Sequence, residues 1–283
     1  MTGRAPIGVF DSGVGGLTVL RALRASMPGE DFVYLGDTAR LPYGTKSDET
    51  VVRYSLQCAA ALVGRGIRAL VVACNTVSAS SLDELRQHYP ALPIIGVIQP
   101  GAEAAVAASA SKHIAVIGTE GTIRGGAYQR AIRQLDPASR VEAAACSLFV
   151  AMAEEGWTEG AIAEAVARRY LEPMFDRGAA SPDTLVLGCT HFPVLAQAIR
   201  AVLPPQVRVV DSAVTTAAAV RGRLLQDRGA TALGETASGK NASGVAAGTI
   251  TWLATDGAAR FARVGSIFLG EPLLAEAVEI IDL

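Results

Sequence analysis

Two cysteines follow apolar segments in similar settings, and their side chains could move protons. Cys74 follows the segment Leu70–Ala73, and Cys189 follows Leu185–Gly188 and precedes His191 by two residues. A thiol can take up or release a proton, and histidine can relay one near pH 7. Inversion of a tetrahedral carbon by proton transfer needs one acid/base group on each face of that carbon, whereas a hydrolase needs one nucleophile. The paired thiols therefore suit a two-base reaction.

The same cysteines allow other interpretations. A free cysteine is commonly a buried core residue. Cys189 and His191 could share a metal ion, and Cys74 could join them in a thiol redox or metal-binding protein. We favour no metal, because further ligands at a suitable spacing are missing. We also expect no cofactor, since pyridoxal phosphate requires a lysine and none of the three lysines follows a strand near a phosphate-binding pattern (Lys46, Lys112 and Lys240).

A glycine-rich segment follows the first predicted strand. Its sequence, Asp-Ser-Gly-Val-Gly-Gly-Leu over residues 11–17, matches neither nucleotide-binding fingerprint of this type, and no lysine follows it. We interpret the glycines as permitting a tight turn from strand to helix. Asp11 would then lie at the end of the strand, where it could cap the helix, hold an ammonium group or orient a base.

Strand-like and helix-like segments alternate along most of the chain, which predicts an α/β fold of parallel sheets covered by helices. The cysteine segments lie about one domain length apart, so we expect two similar lobes with the active site between them. Predicted strands are Ile7–Phe10, Asp31–Leu35, Ala69–Ala73, Ile94–Val97, His113–Ile117, Thr184–Leu187 and Val207–Val210. In such sheets ligands bind beyond the carboxyl ends of the strands.

The lobe boundaries follow from turn-like residues. The break at 98–101 predicts that residues 99–207 form the second lobe, and that residues 1–98 and 208–283 form the first. The Gly-, Ala- and Ser-rich segment 234–248 is predicted to be a mobile surface insertion. The other two cysteines lie in helical or apolar segments, and we assign Cys58 and Cys146 to the core.

The composition indicates a globular protein with a small ligand. Of 283 residues, 50% are hydrophobic and 18% are charged, and the formal net charge is −2, with 25 basic and 27 acidic residues. Nothing here suggests nucleic-acid binding, and no uncharged stretch is long enough for a membrane span. The chain starts without the apolar core of a signal peptide, so we expect a cytoplasmic protein. We also expect a homodimer.

Four motifs, in order across residues 7–215, closely resemble those of the glutamate racemases. They are the segment 11–17, Gly-Asp-Thr-Ala-Arg-Leu-Pro-Tyr-Gly at 36–44, Ala-Cys-Asn-Thr at 73–76 and Gly-Cys-Thr-His-Phe-Pro at 188–193. Fainter similarity continues through residues 255–257 and 268–270. The resemblance implies a cofactor-independent enzyme that interconverts L- and D-glutamate and supplies D-glutamate for peptidoglycan.

The resemblance also implies a role for each matching residue. Cys74 would deprotonate D-glutamate with the help of Asp11, and Cys189 would deprotonate L-glutamate with the help of His191 and Glu154. The tyrosine and glycine that end the second motif would bind the distal carboxylate through their backbone (Tyr43 and Gly44). The amino and α-carboxylate groups would be held by residues with hydroxyl or amide side chains: Ser12, Asn75, Thr76, Thr119, Thr122 and Thr190.

Two points stay open at this stage. The glutamate racemases usually have Val-Pro-Leu-Val before the acidic pair, whereas this chain has Val-Ala-Met-Ala at 150–153. Without the resemblance, Glu154 and Glu155 before Gly156 would indicate only a solvated helix end. Aspartate racemase shares the design with two thiols, and only the motif at 36–44 favours glutamate as the substrate.

Overall fold

The computed structural model describes residues 5–227 and 247–283, which contain ten β-strands in two sheets. In chain order the strands are β1 (Ile7–Asp11), β2 (Phe32–Gly36), β3 (Ala69–Val72), β4 (Ile94–Gly96), β5 (His113–Gly118), β6 (Arg140–Ala145), β7 (Thr184–Gly188), β8 (Arg208–Asp211), β9 (Ile250–Ala254) and β10 (Val278–Ile280). The first sheet has the order β10-β9-β2-β1-β3-β4, and the second has the order β6-β5-β7-β8. All neighbouring strands are parallel. This confirms the predicted α/β class with two parallel sheets.

Helices connect the strands and cover the sheets. Over the described ranges they are α1 (Leu17–Ser26), α2 (Asp48–Gly64), α3 (Asn75–Ser80), α4 (Leu82–His88), α5 (Ile98–Ala108), α6 (Glu120–Gly125), α7 (Ala127–Leu135), α8 (Leu148–Glu154), α9 (Gly160–Phe175), α10 (Ala196–Val202), α11 (Ser212–Asp227) and α12 (Ala258–Leu269). Within these ranges, no helix is long and apolar enough to cross a membrane.

Strand β1 shows why the central strands are almost entirely apolar. Ile7 and Val9 contribute to one hydrophobic cluster, while Phe10 contributes to another that also contains Leu62 of α2. Successive side chains of a strand point to opposite faces, so helices cover both faces of this sheet. Cys58 and Cys146 are fully buried within these two clusters, which confirms their assignment to the core.

The turn predicted at residues 98–101 is wrong. These residues form the first turn of α5, which packs against α7 and against β7 and β8 of the second sheet. Pro100 is compatible with a helix at this point, because backbone N–H groups in the first turn have no partner within the helix.

The predicted end of the second lobe also needs correction. Residues 208–211 were assigned to the first lobe, but they form β8, which pairs with β7 in the second sheet from Thr184 beside Arg208 to Leu187 beside Asp211. The proline pair at 204–205 comes shortly before this strand. The chain returns with α11, which packs on α1 and α5.

Three strands are additional to those predicted: β6 in the second sheet and β9 and β10 in the first. Strand β9 pairs with β2, and helix α12, which follows β9, packs against α1. Most of the predicted insertion, residues 234–246, lies outside the described residues. At its end, the Gly248 N–H donates to the Pro28 carbonyl at 2.8 Å.

Candidate active site

Cys74 and Cys189 line the same cavity, which has a volume of about 340 Å³. Cys74 lies two residues after the end of β3 in the first sheet, and Cys189 directly follows β7 in the second. Each residue is only 5% exposed. Carboxyl ends of parallel strands are the expected location of a ligand site, and here both sheets contribute their ends to one cavity.

Cys74 lies in a buried setting with a neighbouring carboxylate. Its Sγ donates to Ser12 Oγ at 3.4 Å. Burial raises the pKa of the Cys74 thiol to about 12, and the negative charge of Asp11 adds to this increase. Both influences disfavour the thiolate, since each makes a negative charge on sulfur less stable. Cys74 is therefore a neutral thiol near pH 7 when the cavity contains no ligand.

Cys189 lies beside the imidazole ring of His191, whose other nitrogen bonds to the carboxylate of Glu154. His191 Nδ1 is 3.8 Å from Cys189 Sγ, and His191 Nε2 is 3.1 Å from Glu154 Oε1. Burial acts to lower the pKa of His191, but the hydrogen bonds with Cys189 and Glu154 outweigh it and raise the pKa to about 10. The protonated ring places a positive charge beside the Cys189 sulfur.

Glu154 has a second partner, which the sequence motifs do not indicate. Arg260 Nη2 donates to Glu154 Oε2 at 2.6 Å. Burial acts to raise the pKa of Glu154, but hydrogen bonds from His191 and Arg260 outweigh it and lower the pKa to about 2. Glu154 is thus ionised at neutral pH, and it is not the freely solvated helix end that its local sequence suggests.

Asp11 lies behind the cavity wall and is completely buried. Its Oδ2 accepts a hydrogen bond from the Gly13 N–H at 2.9 Å, while Oδ1 has no hydrogen-bond partner within the described residues. Burial raises the pKa of Asp11. Asp11 does not line the cavity, so its influence on Cys74 is electrostatic.

The glycines after β1 provide space for the second lobe. A Cβ atom at Gly15 would lie 2.5 Å from His191 Cε1 and would also overlap Thr190 Oγ1. A Cβ atom at Gly16 would lie 2.5 Å from that of Asp11. The chain does turn from β1 into α1 across these residues, as predicted, but neither glycine has a φ angle in the left-handed region. The requirement here is for close packing.

Hydroxyl and amide groups line the cavity between the two thiols. Thr76 Oγ1 lies 3.0 Å from Thr119 Oγ1, which lies 3.0 Å from Thr122 Oγ1. Thr119 also caps α6 by accepting from the Thr122 N–H. Asn75 Oδ1 accepts from the buried Tyr128 hydroxyl at 2.8 Å. Thr122 supports this group from behind and, like Asp11, does not line the cavity.

The Tyr43 and Gly44 backbone closes another part of the cavity wall. The Tyr43 hydroxyl donates to the buried carboxylate of Asp37, which also accepts from Arg40 Nε at 2.6 Å and from Thr255 Oγ1 at 2.8 Å. A Cβ atom at Gly44 would lie 2.8 Å from Thr119 Cβ. The segment therefore packs directly against the second lobe, and the Asp37 carboxylate fixes it from the first.

Eleven of the thirteen predicted site residues line the cavity, the exceptions being Asp11 and Thr122. Sequence reasoning missed the remaining lining residues, some of which lie inside the motifs and the others in nearby segments or around the start of α8: Gly13, Leu41, Pro42, Thr45, Glu120, Ser147, Val150 and Ala151. Within the described part of the chain, all four cysteines are free, and no group of three His, Cys, Asp or Glu side chains could hold a metal ion.

Comparison with known proteins identifies the family. The model of the Asp/Glu/hydantoin racemase family matches residues 17–220. A glutamate racemase from Geobacter metallireducens is 49% identical over 267 residues, which is 94% of this chain and 93% of that protein. The chain belongs to the Asp/Glu/hydantoin racemase family. As a member of this family it is an amino-acid racemase, and its pair of thiols lies in the cavity of a racemase fold.

Solved racemase structures share the whole fold. The glutamate racemase from Francisella tularensis, in complex with D-glutamate, superposes with a TM-score of 0.84 at 33% identity, over 98% of this chain and 97% of that one. The glutamate racemase from Thermus thermophilus, in complex with β-chloro-D-alanine, has a TM-score of 0.81 at 40% identity, over 99% and 97% of the two chains.

Proposed function

We propose that this racemase interconverts L- and D-glutamate by a two-base mechanism in which Cys74 and Cys189 act on opposite faces of the α-carbon. The observation that carries the proposal is that two thiols, each from the end of a strand in a different sheet, line one cavity. The names of relatives that match nearly the full length of the chain support glutamate as the substrate.

The surroundings of the two thiols differ. Cys189 lies beside the His191 ring, which can exchange a proton with it, whereas burial and Asp11 keep Cys74 a neutral thiol. In the direction from L to D, the Cys189 thiolate takes the α-proton, and Cys74 gives its proton to the other face of the carbanion. In the reverse direction the roles exchange. The substrate ammonium supplies a positive charge that favours formation of the Cys74 thiolate.

The remaining predicted residues would bind the substrate without a fixed positive charge beside the thiols. We propose that Ser12, Asn75 and the threonines hold the amino and α-carboxylate groups. The Tyr43–Gly44 backbone would bind the distal carboxylate. Neutral donors can stabilise a carboxylate and the developing carbanion, provided that they are fixed in advance. The packing of Gly44 against Thr119 and the Asp37 contacts provide that rigidity.

Circular dichroism provides the first test. Purified protein should racemise glutamate without added pyridoxal phosphate, and extensive dialysis against a chelator should not change the rate. Aspartate is one methylene shorter, and a pocket discriminates one methylene by about 10- to 200-fold in kcat/KM. A preference for aspartate would show that the substrate is wrong, and dependence of the rate on an added metal would show that the mechanism is wrong.

An elimination reaction tests the two bases separately. With β-chloroglutamate, a thiolate takes the α-proton, the electron pair of the Cα–H bond forms a Cα=Cβ double bond, and chloride leaves. The resulting enamine tautomerises and reacts with water to give 2-oxoglutarate and ammonia. This reaction needs only one base, so Cys189→Ser should process the D form and Cys74→Ser the L form, although neither variant should racemise glutamate. The same enantiomer preference in both folded variants would contradict the two-base proposal.

We also propose that the product serves peptidoglycan synthesis and that the protein forms a homodimer. The similarity to bacterial glutamate racemases supports the first point. Expression of the gene should let a bacterial strain that requires D-glutamate grow without it, and the Cys74→Ser variant should not. Light scattering in solution should give twice the mass of the 29.2 kDa chain.

A further inference from the structure

Helix α12 of the first lobe contacts the proton-transfer group of the second lobe at two points. Arg260, near the start of α12, donates to Glu154 Oε2 at 2.6 Å. Phe268, two turns further along, packs edge-on against the His191 ring with 4.9 Å between ring centroids. Glu154 and His191 both belong to the second lobe. One helix from the first lobe therefore contacts both His191, which lies beside the Cys189 thiol, and Glu154, which bonds to His191.

The contact with Arg260 leaves Glu154 with one oxygen for His191. Arg260 occupies Oε2, and Oε1 lies 3.1 Å from His191 Nε2. An ionised carboxylate at this position accepts the Nε2–H, so in the neutral ring Nδ1 is left without a proton and faces Cys189 Sγ. That is the arrangement in which Nδ1 can take the proton of the thiol. Without Arg260, the carboxylate would be free to rotate away or take up a proton.

The geometry points to Arg260 as a positioning residue that acts through Glu154 and His191 on proton transfer at Cys189 and not at Cys74. This inference rests on the proposed function. Cys74 has its own hydrogen-bond partner, Ser12, while the charge of Asp11 at the end of β1 acts on both sides of the site. The charged or titratable groups that act on His191 are Cys189, Glu154 and Asp11. Because Arg260 and Glu154 belong to different lobes, the contact exists only while the lobes hold this arrangement.

Racemisation alone cannot distinguish the two sides of the site. The equilibrium constant between enantiomers in water is one, so kcat/KM must be equal in the two directions for the wild type and for each variant. A variant that damages only one base lowers both values together. The elimination of chloride from β-chloroglutamate is irreversible and uses one base at a time, so it can reveal which side is affected.

The test combines Arg260→Met with each cysteine variant. In the Cys74→Ser background, Arg260→Met should lower kcat for the L analogue by about five-fold. This factor corresponds to the upper end of the free energy that an ion pair with one exposed partner contributes. In the Cys189→Ser background, kcat for the D analogue should stay within about two-fold. Arg260→Lys should restore most of the loss in the first background, because it restores a cation that can bind Oε2. Arg263→Met, an exposed change on the same helix, is the matched control and should affect neither rate.

The possible outcomes separate this inference from the proposed function. Equal losses in both backgrounds would show that Arg260 only stabilises the fold and would overturn the inference, as would no loss in either background. Thermal unfolding of each variant checks that the protein is folded. If the unmodified enzyme did not racemise glutamate, the proposed function would fail. If it did racemise glutamate but Arg260→Met changed neither elimination rate, only the positioning role would be refuted. Salt should weaken the L reaction of the Cys74→Ser variant more than the D reaction of the Cys189→Ser variant, since the 47% exposed Arg260 side chain is open to screening.

Discussion

Replacing Gly15 with alanine should separate the two lobes at the site without changing any polar group. The new Cβ atom would lie 2.5 Å from His191 Cε1 and closer still to His191 Nδ1 and Thr190 Oγ1. Carbon atoms in contact are normally about 3.5–4.0 Å apart. The ring or the glycine backbone must therefore move by about 1 Å, and a displacement of this size can lower a catalysed rate by about 100-fold.

His191 has little freedom to absorb this movement. Its ring packs against Phe268 on one side, and Nε2 bonds to Glu154. A second contact between the lobes lies close by, because Thr18 Oγ1 donates to the Thr190 carbonyl at 3.0 Å. Overpacking of a dense interior costs about 1–3 kcal/mol. We therefore expect Gly15→Ala to fold with reduced stability and to lose about 100-fold in kcat/KM, equally in both directions.

Circular dichroism of glutamate racemisation measures the loss in rate, and urea unfolding measures the loss in stability. Gly64→Ala is the matched control. A Cβ atom there has none of the described atoms within 4 Å, and the residue ends α2 with an ordinary φ angle. It should keep wild-type activity and gain up to about 1 kcal/mol, since alanine is the better helix former. A folded Gly15→Ala enzyme with activity within about three-fold of wild type would refute the packing argument.

Other changes test the charges and the buried thiols. Glu154→Gln should lower kcat/KM by about ten-fold or more, because it removes the negative charge between His191 and Arg260 and replaces one of the two acceptor oxygens with a donor, whereas Glu155→Gln should leave it unchanged in the same assay. Cys58→Ala and Cys146→Ala should each keep turnover within a few-fold but lose about 1 kcal/mol or more in urea unfolding, and a large loss of rate in a folded variant would show that the thiol assignment is wrong. The folded-state pKa of Glu154 is lowered to about 2, so its stabilisation is present above its ordinary pKa of 4.5 and should disappear as the pH falls towards 2. The folded-state pKa of His191 is raised to about 10, so its stabilisation is complete below pH 6.5 and should disappear as the pH rises through 10. Plots of unfolding free energy against pH that are parallel for wild type and Glu154→Gln would contradict both pH predictions.

The sequence could predict the parts of the site that lie in short motifs at strand ends. Cys74 and Cys189 each follow an apolar strand, and a parallel sheet brings such positions to one edge. The direct contact between the glycine segment and His191 could not be predicted, because it depends on how two separately folded sheets meet. The helical conformation of residues 98–101 could not be predicted either, because proline favours turns as well as the first turn of a helix.

Arg260 shows a different limit of the sequence. It is an exposed charged residue on an amphipathic helix, and such residues usually indicate only a solvated face. Its partner Glu154 lies 106 residues earlier, in a segment whose local pattern also suggests solvent. Arg260 and Glu154 form an ion pair only when α12 packs against the second lobe, and the hydrophobic periodicity of the sequence does not indicate that pairing. The strands β9 and β10 were missed for a related reason, because both are partly exposed and β10 is an edge strand of only three residues.

The order of the strands determines when the protein can become active during its synthesis. The second sheet is complete once residue 211 has emerged from the ribosome, but β2 must wait for β9, which pairs with it from 218 residues further along the chain. Until then β2 is an open apolar edge that can associate with other chains. Because α12 also follows β9, the contacts of Arg260 with Glu154 and of Phe268 with His191 form late. Nascent chains stalled before residue 250 should therefore bind chaperones and lack racemase activity, although both thiols are already present.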